Sequence, residues 1–135
     1  MSSAKHSTNA SSISTEPVPP QWVGIDHVQL AIPAGTEDEA RAFYVGVLGL
    51  NEVPKPPLLA ARGGAWFEAG EVRLHVGAEE SFVAARKAHP ALTIANLGRF
   101  IDSCGLDATW NDEIEGLVRC HVFDPFDNRI ELVQT

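Results

Sequence analysis

The chain has 135 residues, which is room for one domain and excludes a multidomain assembly. With 44% hydrophobic, 21% charged and 7% aromatic residues, it has the make-up of a globular protein that buries a core without disulfide staples. Eighteen Asp and Glu against ten Lys and Arg give a net charge of -8, which repels nucleic-acid phosphates and anionic bilayers and argues against either as a partner.

Residues 1–22 read as a Ser- and Pro-rich tail. The first twenty residues hold six serines, two threonines and three prolines. Such a segment cannot offset its ordering entropy by burial, so disorder is expected, with His6 inert. No apolar run follows Lys5 as in a signal peptide, and no stretch approaches the ~20 apolar residues of a membrane span. Cys104 and Cys120 stand in no CxxC or zinc-knuckle spacing. Two reduced thiols in a cytoplasmic protein are therefore expected, and no disulfide.

A single domain is read over 23–135, made of two modules at about 24–78 and 89–135 with a linker at 79–88. Gly24 to Pro33 is a strand in which Val28, Leu30 and Ile32 alternate with His27, Gln29 and Ala31. Thr36 and Glu39 form a capping box before a helix whose apolar stripe is Ala40, Phe43, Tyr44, Val47 and Leu48. Gly49 closes that helix at the left-handed position, with Leu50 behind it. Pro54 to Gly64 is a long loop rich in Pro and Gly, suited to a lid. Glu71 to Gly77 is a strand, and Ser81 to Ala88 a linker with helical character.

The second module repeats the first. His89 to Ala95 is a strand, and Asn96 caps a shorter helix with the stripe Leu97, Phe100, Ile101 and Cys104, closed by Gly105 and Leu106. Setting Gly49 on Gly105 brings Phe67 onto Phe123, Glu68 onto Asp124, Arg73 onto Arg129, Leu74 onto Ile130 and His75 onto Glu131 without a gap. Each half reads strand, helix, then three strands. The fold class is α+β, two tandem βαβββ modules.

Side chains alternate across a strand, so the apolar set fixes the face that packs on the helices and frees the other set. Val72, Leu74 and Val76 take the core face, leaving Arg73 and His75 opposite. Pro90, Leu92 and Ile94 do the same and leave His89; Ile130 and Leu132 leave Arg129 and Glu131. With His27 on the first strand, four strands each offer one metal-capable side chain on the face away from the helices. Three imidazoles and a carboxylate suit a divalent ion such as Zn, Mn, Fe(II), Co or Ni, and His27, His89 and Glu131 have the composition of a 2-His-1-carboxylate triad.

This pattern resembles the vicinal oxygen chelate superfamily, the group of glyoxalases, bleomycin-resistance proteins and extradiol dioxygenases. The resemblance is carried by Asp26-His27-Val28, His75 in Arg-Leu-His-Val, His89, and the closing run from Asp124 to Leu132. That run is similar to the family's DP-x-GN-x-x-E-L, with Asp127 where glycine is usual. The likeness spans residues 23 to 135. It implies paired modules cupping a metal site with ligands at His27, His75, His89 and Glu131, and a homodimer in which a site draws on two chains. It also implies metal-stabilised enolate or oxyanion chemistry on a small oxygenated molecule, by lyase, isomerase or dioxygenase reaction, with Glu131 or His75 moving the proton. His75 departs from the carboxylate or glutamine usual there in glyoxalase I and epimerase relatives. The rival implication is a non-catalytic protein of the bleomycin-resistance type that sequesters a small molecule.

Arg73, Arg119, His121 and Trp66 are read as substrate-binding candidates. His121 shares the pocket side of its strand, Leu117 to Phe123, with Arg119, while Val118, Cys120 and Val122 face the core. The arginines suit a substrate carboxylate, and Trp66, Phe67 and Trp110 suit an apolar pocket wall. No cationic cluster suited to a phosphonate is visible in the sequence. Asp112, Glu113 and Glu115 read as a solvated hairpin.

Overall fold

The computed structural model describes residues 15–135; the start of the tail, including His6, lies outside the described residues. From Thr15 to His27 the chain is exposed and has no regular structure. The first module then runs β1 (Val28–Pro33), α1 (Glu37–Tyr44), β2 (Asn51–Val53), a short helix α2 (Pro57–Ala60), β3 (Ala65–Ala69) and β4 (Val72–Glu79). The second runs β5 (Ala91–Ile94), α3 (Leu97–Cys104), β6 (Thr109–Asn111), β7 (Arg119–Phe123) and β8 (Arg129–Gln134).

Each module builds one mixed sheet of four strands, ordered β1-β4-β3-β2 and β5-β8-β7-β6. β1 is parallel to β4 with Gln29 opposite His75, and β5 is parallel to β8 with Ala91 opposite Glu131. The other pairs are antiparallel. A parallel pair cannot be closed by a hairpin, so each module carries its helix in the connection that leaves the edge strand. The two βαβββ modules read from the sequence are thus present.

One face of each sheet packs into a shared core. Ile32, Phe67, Leu74 and Val76 of the first sheet and Cys120, Val122, Ile130 and Leu132 of the second join Ala40, Phe43 and Tyr44 of α1 and Leu97 and Ile101 of α3 in one buried cluster. Each large aliphatic or aromatic side chain so buried contributes about 1.5–3 kcal/mol. Polar bonds tie the modules. The Tyr44 hydroxyl donates to Asp124 Oδ2 at 2.7 Å, and Asn128 Nδ2 donates to the same oxygen at 2.9 Å and to Ala31 O at 2.8 Å. Asp124 Oδ1 accepts the backbone N–H groups of Phe126 and Asn128. The Asp-Pro run is therefore a structural knot whose carboxylate is consumed by the fold.

Several local expectations are corrected. β1 starts at Val28, not Gly24, and β5 at Ala91, not His89, because the residues before them find no ladder partner. Pro90 cannot donate to a ladder, though its carbonyl accepts from Glu131 N. β7 starts at Arg119, and Val118 is exposed, outside the core. Residues 81–88 carry no helix. The loop from Pro54 to Gly64 contains α2, with Pro57 at its start. The capping box is not formed: Thr36 Oγ1 donates to Pro33 O and caps no helix amide. Asn96 takes a left-handed φ of 56°, and Gln134 Oε1 receives the first-turn amide of Leu97 in its place. Gly105 is the left-handed C-cap of α3 at φ 71°, as read from the sequence, but α1 ends at Tyr44 with Val45 as its C-cap, so Gly49, left-handed at φ 74°, closes the turns that follow the helix and not the helix itself.

The ungapped superposition of the modules slips by one residue on a strand. His75 pairs with Trp66 and Glu131 pairs with His121, so the counterpart of buried Phe67 is buried Val122, and Phe123 is exposed. A one-residue slip exchanges the two faces of a strand. Phe67 accordingly belongs to the core and not to a pocket wall. Both cysteines are free, with Cys120 buried and its thiol pKa raised by that burial.

Candidate metal centre and adjoining cleft

Glu131 on β8 projects from the sheet face opposite Ile130 and Leu132, where its cross-strand neighbour is His121 of β7. His89, just ahead of β5, reaches the same point. Glu131 Oε1 lies 3.3 Å from His89 Nε2 and 3.8 Å from His121 Nε2. The two imidazoles meet edge to face with centroids 5.2 Å apart. Among the described residues, His89, His121 and Glu131 are the group whose ligand atoms all lie within 4.8 Å of one another.

The surroundings of this group fix its donors. His89 Nδ1 is 2.7 Å from Lys87 O. A carbonyl only accepts, so Nδ1 carries a hydrogen and Nε2 is the nitrogen turned to Glu131. That contact calls for positive charge, either a proton on Nε2 or a metal ion held between the two groups. Glu131 Oε2 is taken by Arg119 NH1 at 3.1 Å, which leaves Oε1 to the two imidazoles. Arg119 is held in turn by Asn111 Oδ1 at 3.2 Å, while its Nε is buried without a hydrogen-bond partner. Burial opposes the Glu131 charge, but hydrogen bonds from Arg119 and His89 outweigh it and hold the carboxyl below the usual range. Burial is also the main cause that lowers the His121 pKa. Two imidazole nitrogens and one carboxylate oxygen fit a borderline divalent ion, with coordination positions left over.

The first sheet carries the other expected residues. His27 Nδ1 contacts Asp26 Oδ2 at 2.9 Å, which leaves Nε2 as the nitrogen not engaged by that carboxylate, an orientation typical of ligating histidines. That contact is the main cause that lowers the Asp26 pKa. Arg73 NH1 reaches the second Asp26 oxygen at 3.3 Å. The His27 ring stacks on His75 with centroids 4.1 Å apart, and His75 stacks on Trp66 at 4.2 Å with 7° between planes. His75 is therefore sandwiched and buried, and burial, then the neighbouring His27, lowers its pKa.

The four expected ligands thus divide within one chain. His89 and Glu131 sit together with His121, and His27 and His75 form a stacked pair on the other sheet, outside that group. Arg119 and Trp66 each touch a candidate ligand, but Trp110 is half exposed and away from both groups. Lys55 and Arg62 escaped the sequence reading. They join Arg73 along a cleft of about 570 Å³ beside His27 and His75, so basic side chains far apart in sequence do share one wall.

A glyoxalase family protein from Bacillus anthracis of known structure is 40% identical to this chain, with a TM-score of 0.83 over 87% of this chain and 99% of that one. The chain belongs to the glyoxalase family. It is thereby a member of the vicinal oxygen chelate superfamily. At 14% identity, the fosfomycin resistance protein FosX from Listeria monocytogenes shares the fold with a TM-score of 0.64 over 85% of this chain and 95% of that one. A lactoylglutathione lyase from Agrobacterium tumefaciens, 20% identical, shares it with a TM-score of 0.59 over 86% and 95%. No protein-family model and no curated protein matches the sequence. Among the described residues no helix is long and apolar enough to cross a membrane.

Proposed function

We propose that this glyoxalase-family chain is a divalent-metal enzyme acting on a small oxygenated substrate, with His89 and Glu131 as the core of its metal site. The observation that carries the reading is the convergence of His89 Nε2, His121 and Glu131 Oε1 within 4.8 Å, with His89 Nδ1 engaged by Lys87 O and Glu131 Oε2 by Arg119. A divalent ion bound there supplies Lewis-acid polarisation of substrate oxygens. Arg119 keeps Glu131 one-handed by occupying Oε2. His75, kept neutral by burial between two rings, is the residue placed to accept a proton from substrate in the adjoining cleft. The reaction is of lyase, isomerase or dioxygenase type.

Two imidazoles compete for the third ligand position. His121 is within reach in the same chain, and His27, oriented by Asp26, is supplied by the partner of a homodimer. The second arrangement is favoured by the carboxylate that fixes the His27 ring, a support His121 lacks. It is also favoured by the exposed apolar residues Trp22, Val23 and Ile25 just before His27, the kind of surface a second chain covers.

Metal content by plasma mass spectrometry, after incubation of the full chain with Zn, Mn, Fe(II), Co or Ni, tests the reading. Near-stoichiometric metal is expected in the wild type, lost in His89→Ala and Glu131→Ala. Loss in His27→Ala with retention in His121→Ala selects the two-chain site, and the reverse selects the single-chain site. A wild type that takes up none of these ions would sink the enzyme reading and leave a metal-free sequestering protein.

A further inference from the structure

The cleft beside the His27–His75–Trp66 stack has an electrostatic character opposite to that of the whole molecule. The chain carries ten Lys and Arg against eighteen acids, yet three of those cations, Lys55, Arg62 and Arg73, line this one cavity. Its lining carboxylates are Asp26 and Glu68. Both stand against Arg73, with Asp26 bonding it at 3.3 Å and Glu68 its direct cross-strand neighbour. Three cations against two carboxylates leave the lining one positive charge in excess, and Lys55 and Arg62 stand outside the contacts of Arg73. The Lys55 ammonium donates to a neutral acceptor, the carbonyl of Gly63. Arg62 is exposed and makes no ion pair or side-chain hydrogen bond among the described residues. Glu37, the nearby acid of α1, is committed to the Gly64 N–H at 2.7 Å.

The backbone holds these two cations at the rim. Gly63 and Gly64 adopt φ of 79° and 83°, and a Cβ on Gly64 would lie 2.2 Å from Val76 O, so the loop lies flat against β4 beside His75. Only glycine fits there. The bond from Lys55 to Gly63 closes the loop on itself, and the loop forms one side of the cleft with Arg62 in its lining. Two cations with spare donors beside the aromatic stack form a seat for an oxyanion, because a guanidinium binds carboxylate and phosphonate oxygens in pairs and that of Arg62 has no internal acid paired with it among the described residues.

We infer that the cleft takes a small substrate bearing an acid group, a carboxylate or a phosphonate, whose charge is held by Arg62 and Lys55 while its oxygenated end points to the histidines. The identity of the reacting end rests on the metal-enzyme reading; the anion seat does not. Substrates of this class are distinguished from their neutral amides by the seat alone.

Calorimetric titration of the full chain, stripped of metal and again after Zn incubation, tests this with three probes: glycolate, hydroxymethylphosphonate and neutral glycolamide. Saturable binding of at least one acid is expected in both forms, with the tighter acid naming the group the seat prefers, and none is expected for glycolamide. Arg62→Ala, which removes no internal contact, is expected to weaken the acid at least about tenfold, the loss of a charge-assisted contact, with partial recovery in Arg62→Lys. Arg86→Ala, outside the cleft, leaves binding unchanged. Equal binding of acid and amide, equal binding by wild type and Arg62→Ala, or no saturable acid binding at millimolar concentration overturns the inference. Acid binding through Arg62 in a chain that takes up no metal would defeat the enzyme reading and leave the anion seat standing.

Discussion

Asp127 holds a left-handed φ of 70°, at the place where glycine is usual in the motif this chain resembles, and its amide bonds to Asp124 O at 3.1 Å. The turn from Asp124 to Asn128 needs that conformation to bring both amides onto the Asp124 carboxylate, and any Cβ there is strained. Glycine removes the strain but adds unfolded-state entropy, so Asp127→Gly should stabilise the fold by about 0.5 kcal/mol, a rise in Tm of about 2 °C. Asp127→Ala should lower Tm, since it keeps the Cβ and loses the polar side chain that tolerates this region. Thermal unfolding followed by circular dichroism compares the three. At the same scale the sequence left Arg119 as a candidate contact for substrate, whereas its guanidinium is spent on Glu131 and Asn111. Nothing in residue spacing distinguishes an arginine facing a ligand from one facing a neighbouring carboxylate.

Among the elements, helix starts were the least legible. The pattern of Thr36 and Glu39 satisfies the rule for a capping box, yet the Thr36 hydroxyl and amide both found the nearer carbonyl of Pro33, leaving Glu39 no amide to take, while Glu37, outside the box, turned to the distant Gly64. Such competition depends on what packs nearby and not on local spacing. The Glu37 bond is a staple between α1 and the basic loop, and its worth depends on pH. The Gly64 N–H is the main cause that holds the Glu37 pKa below its ordinary 4.5. The unfolded chain therefore takes up the proton first on acidification. The stabilisation is complete above about pH 4.5 and is lost as pH falls through the lower folded-state value. Glu37→Ala should cost about 1–2 kcal/mol at neutral pH, the loss of a hydrogen bond to a charged acceptor. Urea titrations at a series of pH values should show the gap between wild type and variant closing as the acid range is entered; a gap independent of pH would place the effect elsewhere.

At the scale of the whole molecule, the two sheets expose their metal-capable faces separately, with β1 and β5 at the sheet edges. If His27 serves the His89–Glu131 site of a partner, chains carrying His27→Ala and His89→Ala should each be metal-free alone. Mixed after unfolding and refolding together, they should recover metal, because a mixed dimer keeps one site with every ligand intact. Sedimentation should then give twice the chain mass of 14.5 kDa. Recovery of no metal on mixing, with His121→Ala metal-free, would assign the site to a single chain.

By itself the sequence determined the two-module α+β plan, the apolar faces of β1, β4, β5 and β8, the left-handed glycine cap of α3 and the shared sheet face of His121, Arg119 and Glu131. All of these follow from periodicity and backbone sterics, which act over a few residues. The tertiary structure alone decided that His121 stands with His89 and Glu131, that His27 and His75 stack beneath Trp66, and that Lys55, Arg62 and Arg73 line one cleft. It also decided that Phe67 answers to Val122 and not to Phe123, since hydrogen-bond register between strands, invisible to an ungapped comparison, sets which side chains face each other. Residues tens of positions apart meet only when sheets pack and loops close. The chemistry of this chain is therefore carried by juxtapositions that no spacing along it encodes.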